Sequence, residues 1–140
     1  ILTVIVMVLV GRSADRMQER RWHLVVPAMV GAIGFSATAA IGASNPTLGI
    51  IALSLAAAGA ITCAPLFWSL PTALMSGTVA AAGIALINSV GNLAGYVSPN
   101  VIGMLSDATG STEIAMYVIA LSLVIGSALV LTTPADKVNR

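Results

Sequence analysis

The chain has 140 residues, of which 58% are hydrophobic and only 8% charged, and its formal net charge at pH 7 is +1. A soluble domain carries roughly 25% charged residues, and the mean hydropathy of +1.01 indicates a membrane protein instead. Residues 22–106 contain no Asp, Glu, Lys or Arg, as expected where a charge at the bilayer centre costs about 3 kcal/mol or more. The composition excludes an ordinary soluble domain, and we expect no nucleic-acid partner.

The first segment, residues 1–10, is apolar but short. Spanning a bilayer takes about 20 helical residues, because each residue rises about 1.5 Å. A signal peptide is not indicated, since the segment has no basic leader and no cleavage site of small residues follows it. We interpret residues 1–10 as the end of a truncated helix and residues 11–21 as a loop.

Four longer apolar stretches follow, and turn signals divide them. Asn45-Pro46 is one such signal, because Pro disfavours helix at the residue before it. Residues 76–78 and the polar residues 106–113 make the other breaks, and Pro134 ends the last stretch. The sequence predicts no strand and these segments: transmembrane helices at 22–43, 48–75, 79–105 and 114–133, and a tail at 134–140.

The charges predict an orientation. Basic residues in short loops stay on the cytoplasmic side, and residues 11–21 contain four arginines. The tail, with Lys137 and Arg140, follows after four spans, while Asp107 and Glu113 lie between the last two spans. We therefore predict that residues 11–21 and the C-terminal tail are both cytoplasmic, in a lipid bilayer.

Residues 11–21 carry a spaced motif. One interpretation is a basic stop at the end of a helix. The sharper interpretation rests on spacing, since Gly11 allows close helix approach and Asp15 can accept hydrogen bonds from Arg16. The motif resembles the cytoplasmic loop of the major facilitator superfamily, Gly-x-x-x-Asp-Arg-x-x-x-Arg-Arg. That resemblance implies a role in gating for five residues: Gly11, Asp15, Arg16, Arg20 and Arg21.

Two positions depart from the family pattern, because Gln18 stands where many members have Gly and Ala14 where Ser is frequent. Residues 67–72, 81–93 and 103–110 extend the resemblance over nearly the whole chain, to the anion:cation symporter branch of tartrate, phthalate, galactonate and hexuronate permeases. It implies an all-α integral membrane fold, namely the end of helix 8 and helices 9–12 of a twelve-helix transporter whose N-terminal half is missing. It also implies the bacterial inner membrane.

A substrate site is predicted at mid-membrane depth. Trp68 lies nine residues before Gly77 and Asn88 eleven after it, so both lie roughly 13–17 Å from that turn. Asn88, Asn92 and Tyr96 recur at i, i+4 and i+8, which places them on one helix face. Transporters of this architecture bind substrate at this depth.

Two interpretations of the stripe remain open. The asparagines either bond to a neighbouring helix, which Gly91 and Gly95 would let approach, or face a water-filled cavity and bind substrate. In the symporters that the chain resembles, Trp and Asn at the positions of Trp68 and Asn88 line the substrate site. We predict substrate contacts from Trp68, Asn88 and Asn92.

The predicted function is secondary transport of a small organic anion, with protons as the coupling ion, by alternating access. An enzyme is not indicated, because His23 is the sole histidine and the spans contain no acid. We expect no cofactor or metal, and the single Cys63 excludes a disulfide within the chain. The alternatives are phosphate-linked antiport, which would want a buried Arg or Lys here, and a non-transporting four-helix scaffold or assembly subunit.

Overall fold

A computed structural model describes residues 2–139 of the chain. Residues 1 and 140, on which parts of the predictions for the first segment and the tail fall, lie outside the described residues. All regular structure in the described part is helical, which confirms the all-α prediction. Four of its helices, α2 to α5, are long and apolar enough to cross a membrane. The helices are α1 (Leu2–Met17), α2 (Arg21–Ile41), α3 (Pro46–Leu74), α4 (Gly77–Thr109), α5 (Glu113–Thr132) and α6 (Ala135–Val138).

Turn chemistry sets several of the helix ends. Asn45 caps α3, where its side-chain oxygen accepts a hydrogen bond of 3.1 Å from the Leu48 amide, and Pro46 occupies the first helical position. Gly110 ends α4 in the left-handed conformation, with φ of 67°. The turns predicted at Asn45-Pro46 and after residue 105 therefore exist, although α4 continues to Thr109 because no Gly or Pro interrupts residues 104–109.

The interpretation of residues 11–21 as a loop is wrong in its extent. Helix α1 continues to Met17, and α2 already begins at Arg21, so only residues 18–20 form the turn. No helix breaker lies between Gly11 and Met17, and Gln18 turns the chain with a positive φ of 49°. The tail also differs from the prediction, because residues 135–138 form the short helix α6.

Close backbone packing joins α2 to its neighbours. A Cβ added at Gly34 would lie 2.7 Å from the backbone nitrogen of Ala56, and one at Gly59 would lie 2.5 Å from the Pro27 carbonyl oxygen. A Cβ at Gly31 would lie 3.2 Å both from the backbone of α3 and from a Leu123 methyl group of α5. Helix α2 therefore lies against both α3 and α5, while α4 packs at the edge with no buried residue among its own.

An apolar cluster closes the end of the bundle that carries the α1–α2 turn, here called the turn end. Its buried members come from α1, α2, α3 and α6: Ala14, Leu24, Leu66, Leu70 and Val138. The chain's last described helix therefore returns to the end at which α1 meets α2. At the other end, Asp107 and Glu113 line a groove together with Gly42 and Ala43 of the α2–α3 connection.

Candidate functional site

The three residues predicted to contact substrate line one pocket between α3 and α4. Its volume is about 630 Å³, and Trp68 forms one wall while Asn88 and Asn92 lie one helical turn apart on the other. Phe67 meets Trp68 edge-to-face, with ring centroids 5.6 Å apart, an arrangement that fixes the orientation of the indole. The remaining lining is Leu86, Ile87, Val90 and Gly91.

The polar groups of this pocket are free. Within residues 2–139, the amides of Asn88 and Asn92 and the indole N–H of Trp68 make no hydrogen bond. Each amide offers two N–H donors and one carbonyl acceptor, and the indole adds one donor. No charged side chain of the described residues lines the pocket. The arrangement can bind hydroxyl and carboxylate oxygens through neutral donors.

The rest of the asparagine stripe lies outside the pocket. Tyr96 is 73% exposed, and its carbonyl oxygen accepts a hydrogen bond of 2.7 Å from the Asn100 side chain on the same helix. Among the described residues no atom lies within 4 Å of a Cβ added at Gly91 or Gly95. The helix packing that these glycines suggested is therefore absent from the described part of the chain.

Three of the residues predicted to act in gating meet at the turn end. Gly11, Asp15 and Arg20 line a pocket of about 230 Å³ together with Ser69 of α3. Asp15 and Arg16 are both exposed helical residues of α1, and neither has a hydrogen bond or ion pair within residues 2–139. The close helix approach expected at Gly11 is not found there, because a Cβ added at Gly11 meets nothing within 4 Å.

Two of the predicted gating residues, Arg20 and Arg21, connect the α1–α2 turn to other helices. The Arg20 guanidinium donates a hydrogen bond of 3.2 Å to the Ser69 carbonyl oxygen in α3. The Arg21 guanidinium donates to the Leu131 carbonyl oxygen in the last turn of α5, where carbonyl groups lack helical partners and favour a positive charge. Two successive arginines thus hold the α1–α2 turn against α3 and α5.

Glu19, which was not predicted from the sequence, accepts more side-chain hydrogen bonds than any other described residue of the turn. Its carboxylate accepts from the backbone amides of Trp22 and His23, at 2.9 Å and 3.3 Å, and from Asn139 at 3.2 Å. The sequence feature that could have identified Glu19 is an acidic residue just before the N-terminus of a helix, where backbone amide groups lack hydrogen-bond partners. Burial alone would raise the pKa of Glu19, but these hydrogen bonds and one from the His23 ring lower it below 4.5.

The His23 ring joins Glu19 to α1. Its Nδ1 lies 3.1 Å from a Glu19 carboxylate oxygen and its Nε2 lies 3.0 Å from the Ser13 hydroxyl. Because a carboxylate can only accept, the neutral ring carries its hydrogen on Nδ1 and leaves Nε2 to accept from Ser13. His23 is therefore a polar link between α1 and α2.

A second cavity, of about 730 Å³, lies beside the first and was not predicted. It is lined by residues of α2, α3 and α5 and by Ile87 of α4, and its lining is mainly apolar. Phe67 and Trp68 line both cavities, so the aromatic pair lies between the pocket that contains Asn88 and Asn92 and a cavity that contains neither. Among residues 2–139 there is no group of His, Cys, Asp and Glu side chains suited to a metal ion.

Comparisons with known proteins place the chain among transport proteins. It is 40% identical over 134 residues to "Putative metabolite transport protein NicT" of Pseudomonas putida, a match over 96% of this chain. It is 43% identical over 131 residues, 94% of the chain, to "Putative tartrate transporter" of Agrobacterium vitis. It is 38% identical over 132 residues, also 94% of the chain, to "Quinolone resistance transporter" of Acinetobacter baumannii.

These matches cover only part of each relative. The chain spans 30% of the length of the Pseudomonas putida protein and 29% of the Agrobacterium vitis protein. No protein-family model matches the chain, and no solved structure matches it significantly. The relatives are named as transporters rather than as enzymes or membrane scaffolds.

Proposed function

We propose that this chain, which belongs to the major facilitator superfamily of membrane transporters, forms part of a secondary transporter for a small organic anion. The other helices, including an N-terminal half, belong to the rest of that transporter, since the chain spans about 30% of its relatives. A relative from Agrobacterium vitis is named for tartrate. Tartrate is a hydroxylated dicarboxylate, which suits the amide and indole donors of the α3–α4 pocket.

The observation that carries the proposal is the convergence of Trp68, Asn88 and Asn92 on one pocket with unused hydrogen-bonding groups. Both asparagines lie on an exposed face of α4 in the described part of the chain, and polar groups within membrane helices mark functional sites by default. A ligand rich in oxygen atoms satisfies the amides of Asn88 and Asn92. Gating residues at the turn end line a different pocket, which separates substrate binding from conformational switching.

Proton coupling belongs to groups outside these spans. Residues 22–106 contain no Asp, Glu, Lys or Arg, so the carboxylate that carries the proton and the cation that binds the anion lie in the rest of the transporter. This chain supplies neutral donors that recognise hydroxyl groups. Alternating access then exposes one mid-membrane site to either side of the bilayer.

The orientation follows from the shared turn end. The tail and the α1–α2 turn meet there, through Asn139 and Arg20, and both carry basic residues. The positive-inside rule supports a cytoplasmic location for this end, and the bacterial relatives support the inner membrane. A Gln18→Cys variant should resist a membrane-impermeant maleimide in intact cells and react after permeabilisation. Ready labelling in intact cells would reverse the orientation.

Substrate binding is tested by replacing Asn88. In the full-length transporter, Asn88→Ala should weaken L-tartrate binding roughly 10- to 150-fold, because a hydrogen bond to a charged ligand is lost. Trp68→Phe should weaken it less than Trp68→Ala, since the ring is kept. Asn100→Ala is the matched control, because Asn100 lies on the same helix outside the pocket and its side chain donates only to the Tyr96 carbonyl oxygen of that helix.

Two results would contradict this proposal. Normal binding by Asn88→Ala together with poor thermal stability would show that Asn88 is a helix-packing residue. Absence of L-tartrate uptake and binding by the wild-type transporter would remove the hydroxylated dicarboxylate as substrate. A panel of sugar acids and aromatic carboxylates, assayed in the same vesicles, then decides between another organic anion and a non-transporting scaffold.

A second candidate function rests on the apolar cavity of about 730 Å³. Its size suits a drug-sized aromatic molecule, and a relative is named for quinolone resistance. In this alternative the chain belongs to a drug exporter, and Trp68 stacks on the drug. Expression should then raise the minimal inhibitory concentration of norfloxacin, and Leu123→Trp, which fills the cavity, should abolish that effect. An unchanged inhibitory concentration rejects this candidate.

A further inference from the structure

The C-terminal tail is anchored in the apolar cluster at the turn end. Val138 is fully buried, with 0% of its surface exposed, and it packs in the cluster formed by Ala14, Leu24, Leu66 and Leu70. The preceding residue, Lys137, is exposed. The burial of Val138 therefore holds the four-residue tail helix α6 against the turn end.

The next residue, Asn139, uses both ends of its amide on the turn. Its side-chain oxygen accepts a hydrogen bond of 3.0 Å from the Arg20 backbone amide. Its nitrogen donates one of 3.2 Å to the Glu19 carboxylate. The tail therefore contacts Glu19 and Arg20, two successive residues of the α1–α2 turn, and Val138 anchors the tail in the apolar cluster.

The position of the α1–α2 turn decides which carbonyl groups the side chains of Arg20 and Arg21 can reach. Arg20 bonds to the Ser69 carbonyl oxygen of α3 and Arg21 to the Leu131 carbonyl oxygen of α5. Both bonds depend on a turn of three residues whose first, Gln18, has a positive φ. A turn in this conformation needs contacts that hold it in place, and the tail supplies contacts at its second and third residues.

We propose that Val138 and Asn139 are positioning residues, which hold the α1–α2 turn so that Arg20 and Arg21 bind α3 and α5 together. One consequence of this proposal rests on the proposed transport function, namely that the tail restrains opening of the turn end. The contacts of the tail with the turn do not depend on that function. With the tail released, the turn exchanges between conformations and the turn end opens more often. Neither Val138 nor Asn139 lines the α3–α4 pocket, so the effect on substrate is indirect.

The direct test is hydrogen–deuterium exchange of the full-length transporter in nanodiscs, with a matched pair of variants. Val138→Ser places a hydroxyl group in the apolar cluster, whereas Lys137→Ser places the same side chain at the exposed neighbouring position. Peptides covering residues 17–24 should exchange roughly fivefold faster in Val138→Ser, the change expected from losing an ordinary hydrogen bond. They should be unchanged in Lys137→Ser.

Peptides around Gly34 and Gly59 report whether the α2–α3 packing survives. If they also lose protection in Val138→Ser, the comparison moves to Asn139→Ala, which removes hydrogen bonds and no buried apolar group. Faster exchange confined to residues 17–24 in either variant supports the inference that the tail holds the turn, and the alkylation test below separates a positioning role from a purely local one. Unchanged exchange there in both variants, or an equal increase in Lys137→Ser, overturns it.

A second readout tests the consequence without any substrate. In a Cys63→Ala background, alkylation of Asn88→Cys by a maleimide measures access to the α3–α4 pocket. Adding Val138→Ser should raise the alkylation rate severalfold, and adding Lys137→Ser should leave it unchanged. A purely local structural role would change exchange in the turn but not alkylation at position 88, and that result overturns the positioning role. Failure of the transport proposal would instead appear as absent uptake, with the exchange result intact.

Discussion

At the scale of single residues, the α1–α2 turn has a backbone conformation at position 18 that suits Gly, the residue of the family pattern, better than Gln. Gln18 adopts a positive φ of 49°, a conformation that costs roughly 1–2 kcal/mol for a residue with a Cβ. The family resemblance has Gly at this position, and Gly adopts such a φ without steric cost. The departure noted in the sequence is therefore a site of backbone strain.

The first prediction concerns this strain. Gln18→Gly should stabilise the transporter by up to about 1 kcal/mol, since the relief of strain exceeds the added entropy of the unfolded chain. Gln18→Ala is the control, because it shortens the side chain and keeps the strain. Thermal unfolding in detergent measures both variants. Equal midpoints for Gly and Ala at position 18 would show that the turn is unstrained.

A second prediction at this scale concerns Glu19 and pH. Its folded pKa lies below 4.5, so its contribution to stability is fully present above that value and is lost as the pH falls through the lower folded pKa. Wild-type protein should therefore exceed Glu19→Gln in thermal stability at neutral pH, and the difference should shrink below about pH 4.5. His23 and Asn139 face this carboxylate from α2 and the tail.

The measurement is the unfolding midpoint of both proteins in steps from pH 7 to pH 3. Glu113→Gln, at the opposite end of the bundle, controls for the loss of any one carboxylate. A difference between wild type and Glu19→Gln that stays constant over the whole range would contradict the assignment of Glu19 as the ionised centre of the turn.

At the scale of helices, the glycines of α2 and α3 decide how closely the two can pack. A Cβ at Gly34 would meet three backbone atoms of α3 within 2.9 Å, and backbone atoms cannot move aside as a flexible side chain can. Gly103 of α4 has nothing within 4 Å of an added Cβ. The same substitution at the two positions therefore tests helix packing.

The third prediction is that Gly34→Ala destabilises the transporter by about 1–3 kcal/mol, the usual cost of overpacking, whereas Gly103→Ala has little effect. Thermal unfolding and the yield of monodisperse protein in detergent measure the difference. Wild-type stability in Gly34→Ala would show that α2 and α3 lie farther apart than the structure places them.

The sequence predicted the helices better than their contacts. Hydropathy and the Asn45-Pro46 turn identified the spans, because both signals are local. The turn at residues 18–20 was placed too broadly, since the charged residues after Gly11 suit an exposed helix as well as a loop. The bond from Asn139 to Glu19 joins residues 120 positions apart, and no local pattern in a single sequence reveals such a pairing.

The candidate site was predictable to the same degree. Depth and periodicity placed Trp68, Asn88 and Asn92 on facing helices, and these residues do line one pocket. The apolar cavity on the other side of Trp68 was not predictable, because it depends on how α2, α3 and α5 pack. Its apolar residues have the composition of any membrane helix.

At the scale of the whole molecule, the residues predicted to act in gating and those predicted to bind substrate line two different pockets. Asp15 lies at the turn end and lines a pocket that contains none of the predicted substrate contacts. The fourth prediction is that Asp15→Asn lowers the maximal rate of L-tartrate uptake and leaves substrate affinity unchanged. Asp107→Asn, an equal change of charge at the opposite end, is the control. Equal losses of rate and affinity in Asp15→Asn would indicate misfolding or direct contact.

The central claim is that substrate binds in the pocket between α3 and α4. The most direct measurement is the alkylation rate of Gly91→Cys in the full-length transporter, in a Cys63→Ala background, with and without L-tartrate, because Gly91 lines the pocket and an added Cβ there meets nothing within 4 Å. We predict that L-tartrate slows alkylation at position 91 in a saturable manner and does not slow it in Asn100→Cys, on the same helix outside the pocket. An alkylation rate at position 91 that L-tartrate leaves unchanged, in a variant that still binds it, would contradict the claim.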